Sequence, residues 1–186
     1  MNDLPTIRDL EHLKRRVERI AAANTTEASG TAFPSSPPTG LRFYRSDLGW
    51  WCFYDGARWL TCHELSAQRG VTGLTVATSV PISDIRQDYA PYVARCTTGY
   101  VVATTNNGSN YWTITIRGVN AAYNAASSVH QFNTSAASLT WAQNDAAPSV
   151  SAAPSNRARI DVDLAVTGAP GSLSIYVTVY YRLIVT

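Results

Sequence analysis

Residues 159–186 read RIDVDLAVTGAPGSLSIYVTVYYRLIVT, a stretch in which apolar and polar side chains alternate. Its first half puts apolar side chains at every second position, at Ile160, Val162, Leu164 and Val166. Its second half does the same, at Leu173, Ile175, Val177 and Val179. A period of two is typical of a β-strand with one buried face. With GAPGS as the turn between the halves, the stretch predicts two strands of a β domain.

Shorter stretches of similar character recur upstream of this pair. They are LTVAT, APYVARCT, YVVATT, YWTITIRG and SLTWAQ, and their spacing is that of a sandwich. Asn107-Gly108 within NNGSN predicts a hairpin turn. We therefore predict a mainly β protein in which residues 67–186 form an antiparallel, jelly-roll-like β-sandwich.

The predicted sandwich carries little charge. Between Cys96 and Arg157 the formally charged residues are Arg117 and Asp145, and charged residues are 15% of the whole chain. Small polar groups and tyrosines instead occupy the outward positions. Such a surface suits either a large shared interface or a polar-aromatic binding face. The residues proposed for surface recognition are Tyr111, Tyr123, Tyr176 and Tyr180.

An aromatic-rich segment, residues 41–66, precedes the sandwich. The turn signals SDLG and Asp55-Gly56 divide it into a three-strand meander. Large rings fall on both faces of that meander, which therefore cannot be stable alone. The rings are Phe43, Tyr44, Trp50, Trp51, Phe53, Tyr54 and Trp59. They could form a small core, a clamp between subunits, or a stacking platform for sugars whose first candidates are Trp50, Trp51 and Trp59.

The N-terminal residues 1–24 predict a short, coiled-coil-like helix. An a/d seam of apolar residues runs along it, formed by Leu10, Leu13, Val17 and Ile20. Two heptads are marginal in isolation, so the helix needs a partner. That partner is a second copy, another protein of an assembly, or the chain's own domain. Residues 25–40, rich in Pro, Ser and Thr, predict a linker.

Several functional classes are disfavoured by composition. The net charge of +2 predicts no nucleic-acid partner. No apolar run approaches the ~20 residues needed to cross a bilayer, so we expect no membrane insertion. The N-terminus lacks the apolar core of a signal peptide, which predicts synthesis in a cytosol. Cys52, Cys62 and Cys96 fit neither zinc nor disulfide spacing and are expected to be buried or half-buried thiols.

No catalytic motif is evident in the sequence. It contains no HExxH, GxSxG, Walker loop or GxGxxG, and its three histidines lie near no such pattern. Asp161 and Asp163 share one strand face, where exposure to solvent, or pairing with Arg157 or Arg159, is favoured over calcium binding or glycoside hydrolysis. We therefore expect no enzyme activity, no metal and no cofactor.

The order of these segments resembles that of bacteriophage virion structural proteins of the trimeric fibre or capsid decoration type. The aromatic segment is similar to a stretch of predicted phage tail and fibre-like proteins. The matching positions are Phe43-Tyr44-Arg45, Asp47, Leu48-Gly49, Phe53-Tyr54-Asp55-Gly56 and Arg58-Trp59-Leu60. YWTITIRGVNAAY and GAPGSLSIYVTVYYRLI also look like the C-terminal β domains of such proteins, so the resemblance covers most of residues 41–186.

This resemblance implies a homotrimer that belongs to the virion and is attached to other virion proteins through residues 1–24. The β domain would then be distal and would adhere to the host surface, with a host glycan as a possible ligand. A capsid decoration or cement protein that reinforces the head is the alternative job. The alternatives from another class of protein are a non-catalytic carbohydrate-binding module and a glycan-degrading enzyme.

Overall fold

A computed structural model describes residues 14–15, 27–84, 89–119, 126–137, 139–148, 150–151 and 159–186. In this part of the chain the protein is mainly β, and it divides into two compact units between Cys62 and His63. The predicted N-terminal helix lies outside the described residues except for Lys14 and Arg15, whose backbone is helical. Two residues do not establish that helix. All four residues of its seam lie outside the described ranges: Leu10, Leu13, Val17 and Ile20.

The described part of the first unit is built on four short strands. They are β1 (Glu27–Gly30), β2 (Arg42–Arg45), β3 (Trp50–Tyr54) and β4 (Trp59–Thr61). They are hydrogen-bonded in the order β1-β2-β3-β4, with β1 parallel to β2 and the other neighbours antiparallel. β1 lies within the segment that the sequence predicts as a linker. The parallel pairing uses residues rich in small side chains, which carry no strong strand signal of their own.

Two tight turns connect the strands of this meander. Gly49, at the end of the β2–β3 turn, has a φ of 71°, and Gly56 in the β3–β4 turn has a φ of 102°. Asp55 Oδ1 accepts hydrogen bonds from the backbone N–H groups of Ala57 and Arg58, each 2.8 Å long. The Asp-Gly pair thus fixes the turn in the way that its sequence predicts.

The second unit contains nine strands among its described residues. They are β5 (Leu65–Leu74), β6 (Thr78–Asp84), β7 (Ala90–Val102), β8 (Tyr111–Val119), β9 (Ala126–Asn133), β10 (Ala142–Ala146), β11 (Val150–Ser151), β12 (Arg159–Thr167) and β13 (Leu173–Val185). One sheet of the unit has the order β5-β13-β7-β10, with β11 also on β7, and the other has the order β6-β12-β8-β9. The pairings between these neighbours are antiparallel.

The pairing of this unit follows a regular rule if the short β11 is left aside. The first strand pairs with the last, β5 with β13, and the second with the last but one, β6 with β12. In the same way β7 pairs with β10 and β8 with β9. The chain is therefore matched to itself from the outside inwards, like one long hairpin.

The apolar faces predicted from alternation form the core of this unit. Leu173, Ile175, Val177 and Val179 are all buried, as are Trp112, Ile114 and Ile116 on β8. On β12 the alternation holds for Ile160, Val162 and Leu164, while Val166 is half-buried. The period of two thus identifies the buried side of these strands.

Strands of weak apolar character differ from the sequence prediction. β5 (LSAQRGVTGL) and β9 (ASSVHQFN) have few large apolar residues and were not expected, and the predicted strand LTVAT falls across the β5–β6 connection. Among the described strands, β5 pairs with β13 only, so it is an edge strand with mostly exposed side chains. APYVARCT and YVVATT, predicted as two strands, are one strand, β7.

Candidate functional site

The outer face of the β5-β13-β7-β10 sheet carries small polar and aromatic side chains. We use the term outer face for the side of this sheet that is opposite to its buried side chains. Strand register places four residues of this face in one row across the sheet: Gly70, Tyr176, Gly99 and Gln143. The adjacent row holds Gln68, Thr178, Thr97 and Asp145.

Tyr176 is held flat over the edge of the sheet by two neighbours. Its ring lies over Gly70, with Cδ2 3.2 Å from the position that a Cβ on Gly70 would take. Its hydroxyl group donates a hydrogen bond to Gln68 Oε1. The side chain of Tyr176 is nevertheless 45% exposed. The ring is therefore fixed in position while it remains accessible to a ligand.

Trp141 repeats this arrangement on the other side of β13. It directly precedes β10, and its six-membered ring lies 3.7–3.8 Å from the position of a Cβ on Gly99. The residue is 61% exposed. Gly70 and Gly99 flank β13, and neighbouring strands are about 4.8 Å apart, so the two glycines stand roughly 10 Å apart. Each ring thus packs against a glycine.

Hydrogen-bonding groups lie beside these rings. Gln143 Nε2 donates to Asp145 Oδ2 over 2.7 Å. The row that contains Asp145 adds the hydroxyl groups of Thr97 and Thr178 and the amide of Gln68. Hydroxyl, amide and carboxylate groups are the usual partners of polar ligands in a largely neutral site.

A shallow depression of about 340 Å³ continues this face next to Asp145. It lies beside the interruption of the edge strand, since β7 pairs with β10 up to Cys96 and with β11 from Val93. The lining residues are Arg95, Cys96, Thr97, Asp145, Ala146 and Ala147. The depression adds room for polar groups of a ligand at one end of the row.

The tyrosines predicted for surface recognition lie in different environments. Tyr176 is exposed on the outer face, but the guanidinium carbon of Arg95 lies 3.8 Å from the ring centroid of Tyr180 and covers that ring. Arg95 also forms an ion pair with Glu64, Nη2 to Oε1, at 3.4 Å. Tyr111 is half-buried on β8 of the other sheet, and Tyr123 lies outside the described residues. The recognition role of these residues stays a prediction.

Trp141 was not predicted as a recognition residue, although it lies in a predicted strand. Its alternation with Gln143 and Asp145 is a signal that places it on an outward face. The sequence does not indicate that Gly70 and Gly99 lie next to these aromatic residues, because only strand register brings the glycines into the row.

The rings of the meander form a small core in the first unit. Phe43 and Trp59 are buried, and Phe33, from the predicted linker, stacks on Trp59 with 4.3 Å between ring centroids. Trp59 is therefore enclosed by its own unit, which removes it as an open surface for a sugar. Three other rings are half-buried: Trp50, Phe53 and Tyr54.

The opposite face of the meander keeps an accessible ring. Trp51 is 39% exposed and packs against Tyr44, with ring centroids 5.2 Å apart. A clamp between subunits through such rings stays a prediction.

A bidentate ion pair closes the β2–β3 turn. Arg45 Nε donates to Asp47 Oδ1 over 2.9 Å and Nη2 donates to Oδ2 over 2.8 Å. The guanidinium carbon of Arg45 also lies 4.7 Å from the ring centroid of Phe33. The hydrogen bonds from Arg45 hold the pKa of Asp47 below its usual value. This pair ties the turn to the aromatic core of the first unit.

The two aspartates of β12 are engaged with arginines. Asp161 is buried and is bound by Arg159, with Nε to Oδ1 at 2.5 Å and Nη2 to Oδ2 at 2.6 Å. Asp163 pairs with Arg117 at 3.2 Å. Arg159 is one of the two arginines that the sequence predicts as partners of these aspartates. Both carboxylates thus form ion pairs with arginines.

The cysteines match the expectation of shielded thiols. Burial raises the pKa of Cys52 to about 11 and that of Cys96 to about 12. Cys62 is half-buried. Within the described ranges, no group of three or more His, Cys, Asp or Glu side chains is arranged to hold a metal ion. No helix in the described part of the chain has the length and apolar character needed to span a bilayer.

Comparisons with known proteins gave distant structural matches only. No protein-family model and no curated protein matches the chain. A protein of Bacillus endospore appendages, which form disulfide-linked pili, is 12% identical, with a TM-score of 0.32 over 67% of this chain and 88% of its own. The coat protein of tobacco streak virus is 10% identical, with a TM-score of 0.35 over 67% and 90%.

A structure of infectious bursal disease virus, Gx strain, is 10% identical, with a TM-score of 0.33 over 70% of this chain and 35% of the matched one. The structural neighbours thus include viral proteins. At such low identity and TM-score these matches carry no argument about function.

Proposed function

We propose that the chain is a non-enzymatic structural protein of a bacteriophage particle, in the form of a homotrimeric fibre. Residues 1–24 attach it to other virion proteins, and the second unit adheres to the host surface. The sequence resemblance over most of residues 41–186 supports the phage assignment. The strand order of the second unit is the single structural observation on which the proposal depends.

We infer from this order that the two sheets are the layers of a jelly-roll sandwich. Counted along the chain without β11, the orders are one-eight-three-six and two-seven-four-five, as a rolled antiparallel hairpin requires. Side chains from the two sheets meet on the inner side: Tyr100 of β7 packs on Phe132 of β9, with centroids 5.5 Å apart. Jelly rolls occur in viral capsid proteins and in lectins. Both uses fit a virion protein that binds a surface, although the fold alone does not decide function.

Internal charge pairing supports an assembled or ligand-bound role. Several of the described arginines pair with acids of their own unit: Arg45 with Asp47, Arg58 with Asp55, Arg95 with Glu64, Arg117 with Asp163 and Arg159 with Asp161. Apart from such pairs, the outer face of the β5-β13-β7-β10 sheet carries mainly Thr, Ser, Gln, Gly and Tyr. A soluble monomer normally presents mixed charge. A surface of neutral polar groups suits contact with other chains or with neutral ligands.

Solution mass tests the homotrimer directly. Light scattering should give the mass of a trimer for the full chain and for a variant that begins at Thr25, which keeps β1 and Phe33. A trimer for both would assign assembly to the β units and leave residues 1–24 for attachment to the particle. A monomer for both would overturn the fibre proposal.

Particle incorporation tests the anchor and separates the two virion roles. Deleting residues 1–24 should remove the protein from purified phage particles while its trimer remains. Truncated protein that still decorates particles would overturn the anchor. Binding of the full chain to host cells supports the fibre, whereas binding to capsids alone would favour the cement protein.

A further inference from the structure

We propose that Trp141 and Tyr176 form a binding site for a neutral oligosaccharide on the outer face of the β5-β13-β7-β10 sheet. This inference rests on the proposed function of surface adhesion and names the site and the class of ligand. It also places the sugar platform on the second unit, whereas in the meander Trp59 is enclosed, Trp50 is half-buried and Trp51 packs against Tyr44.

The geometry of the two rings favours an extended chain of sugars. The glycines against which they pack, Gly70 and Gly99, lie roughly 10 Å apart on either side of β13. One side of a pyranose ring presents C–H groups, which pack on the negative face of an aromatic ring. Two separated, accessible rings can therefore hold two different sugars of one oligosaccharide.

The site is ordered before a ligand arrives. Gly70 and the hydrogen bond to Gln68 fix the ring of Tyr176, and Gly99 supports the indole of Trp141. A Cβ at Gly70 would stand 3.2 Å from the Tyr176 ring and force it to shift, whereas a Cβ at Gly99 would meet the Trp141 ring at 3.7–3.8 Å, an ordinary van der Waals contact. Rigid rings lose little conformational entropy on binding, which favours affinity for a flexible polar ligand.

The two rows together supply hydrogen bonds for sugar hydroxyl groups. Gln68 uses Oε1 for Tyr176, and among the described residues no acceptor bonds its NH₂ group. Gln143 uses Nε2 for Asp145, which leaves its Oε1 as an acceptor. Thr178 lies between these side chains in the register. Donors and acceptors thus alternate next to the rings, as recognition of hydroxyl groups requires.

The charge of the face favours a neutral ligand. Asp145 lies in the row itself and would repel an acidic sugar, while Arg95 is paired with Glu64 and lies on Tyr180. A second copy of the chain fits this face less well. The two rings stand among small polar groups, whereas a stable interface of about 800 Å² per partner has a continuous apolar centre.

The test is calorimetric titration of the full chain with cellohexaose, maltohexaose and chitohexaose, and with an acidic hexagalacturonate for comparison. At least one neutral hexasaccharide should bind. Trp141→Ala and Tyr176→Ala should each lower its affinity by about tenfold or more. Tyr176→Phe, which keeps the ring, should retain most of the affinity. Trp51→Ala, at the exposed tryptophan of the first unit, is the matched control and should bind as the wild type does.

Three outcomes would overturn the site: no neutral hexasaccharide binds, the acidic one binds more tightly, or both alanine variants bind unchanged. A fall in solution mass for Trp141→Ala would also overturn it, because the face would then be a subunit interface. Failure of the titration with an intact trimer on phage particles would remove this site and leave the proposed function. Sugar binding by a protein that is monomeric and absent from phage particles would remove the proposed function and leave this site.

Discussion

The indole of Trp112 donates a hydrogen bond from Nε1 to the backbone carbonyl oxygen of Gly171, 3.0 Å away. Trp112 is buried in β8, and Gly171 lies in the turn between β12 and β13. The bond satisfies the polar atom of a large core residue and joins the turn to the core.

Trp112→Phe should therefore destabilise the protein by about 2 kcal/mol, through the lost hydrogen bond and the cavity that the smaller ring leaves. Urea unfolding followed by circular dichroism measures this. Trp141→Phe makes the same change at an exposed ring, and we expect a shift within about 0.5 kcal/mol. Equal effects at both positions would contradict the assignment of Trp112 to the core.

The Arg45–Asp47 pair should make stability depend on pH. Because the folded-state pKa of Asp47 is lowered, its contribution is present above the unfolded value near 3.8 and is lost as pH falls through the folded value. Asp47→Asn should therefore be less stable than the wild type at about pH 7, with a difference that narrows at about pH 3. Urea midpoints at both pH values measure this. A constant difference would exclude titration of Asp47 as its source.

The two buried cysteines should resist modification in the folded protein. With pKa values of about 11 and about 12, Cys52 and Cys96 remain protonated and inaccessible to a maleimide at about pH 8. Intact mass should show labelling at Cys62 alone, and three labels in urea. Cys62→Ser should take up none when folded; a label on that variant would show that a buried thiol is accessible.

The raised thiol pKa values also predict that the protein loses stability at high pH. Their contribution is complete below the unfolded value near 9 and is lost as pH rises through the folded values. Cys96→Ala should therefore lose less stability than the wild type between about pH 9 and about pH 11. Urea unfolding across that range measures it, and parallel losses would contradict the assignment.

Gly168 and Gly73 form a matched pair for a test of local packing. Both have positive φ, 64° and 67°, but a Cβ on Gly168 would collide with the backbone of Ser109, whereas a Cβ on Gly73 has open space. Gly73→Ala should cost about 1 kcal/mol, the usual effect of the left-handed conformation. Gly168→Ala should cost at least about 2 kcal/mol, since the neighbouring turn must also move. Equal thermal shifts would contradict that contact.

The sequence identified the elements whose own residues carry a strong signal. β12 and β13 alternate large apolar side chains, and Asp55-Gly56 marks its hairpin without help from distant residues. β5 and β9 could not be predicted in this way, because neither has a regular apolar face. They become strands by pairing with β13 and β8, whose apolar alternation is strong. Phe33 was hidden for a similar reason: its packing on Trp59 is a tertiary contact within a Pro/Ser-rich segment.

The candidate site was only partly visible for the same physical reason. Tyr176 could be placed on an outward face from the alternation of β13. Its support by Gly70, and the parallel arrangement of Trp141 over Gly99, depend on strand register between segments distant in sequence. No local pattern contains that information.

The outside-in pairing of the second unit has a consequence for biosynthesis. β13 lies between β5 and β7, yet the ribosome makes it after every other strand of the unit. Until it is made, the edges of β5 and β7 that it covers have no native partner, and such exposed edges invite aggregation. Pairings between the most distant strands also make folding slow. The unit therefore completes its fold only after translation of its last strand, and chaperones have a long interval in which to bind it.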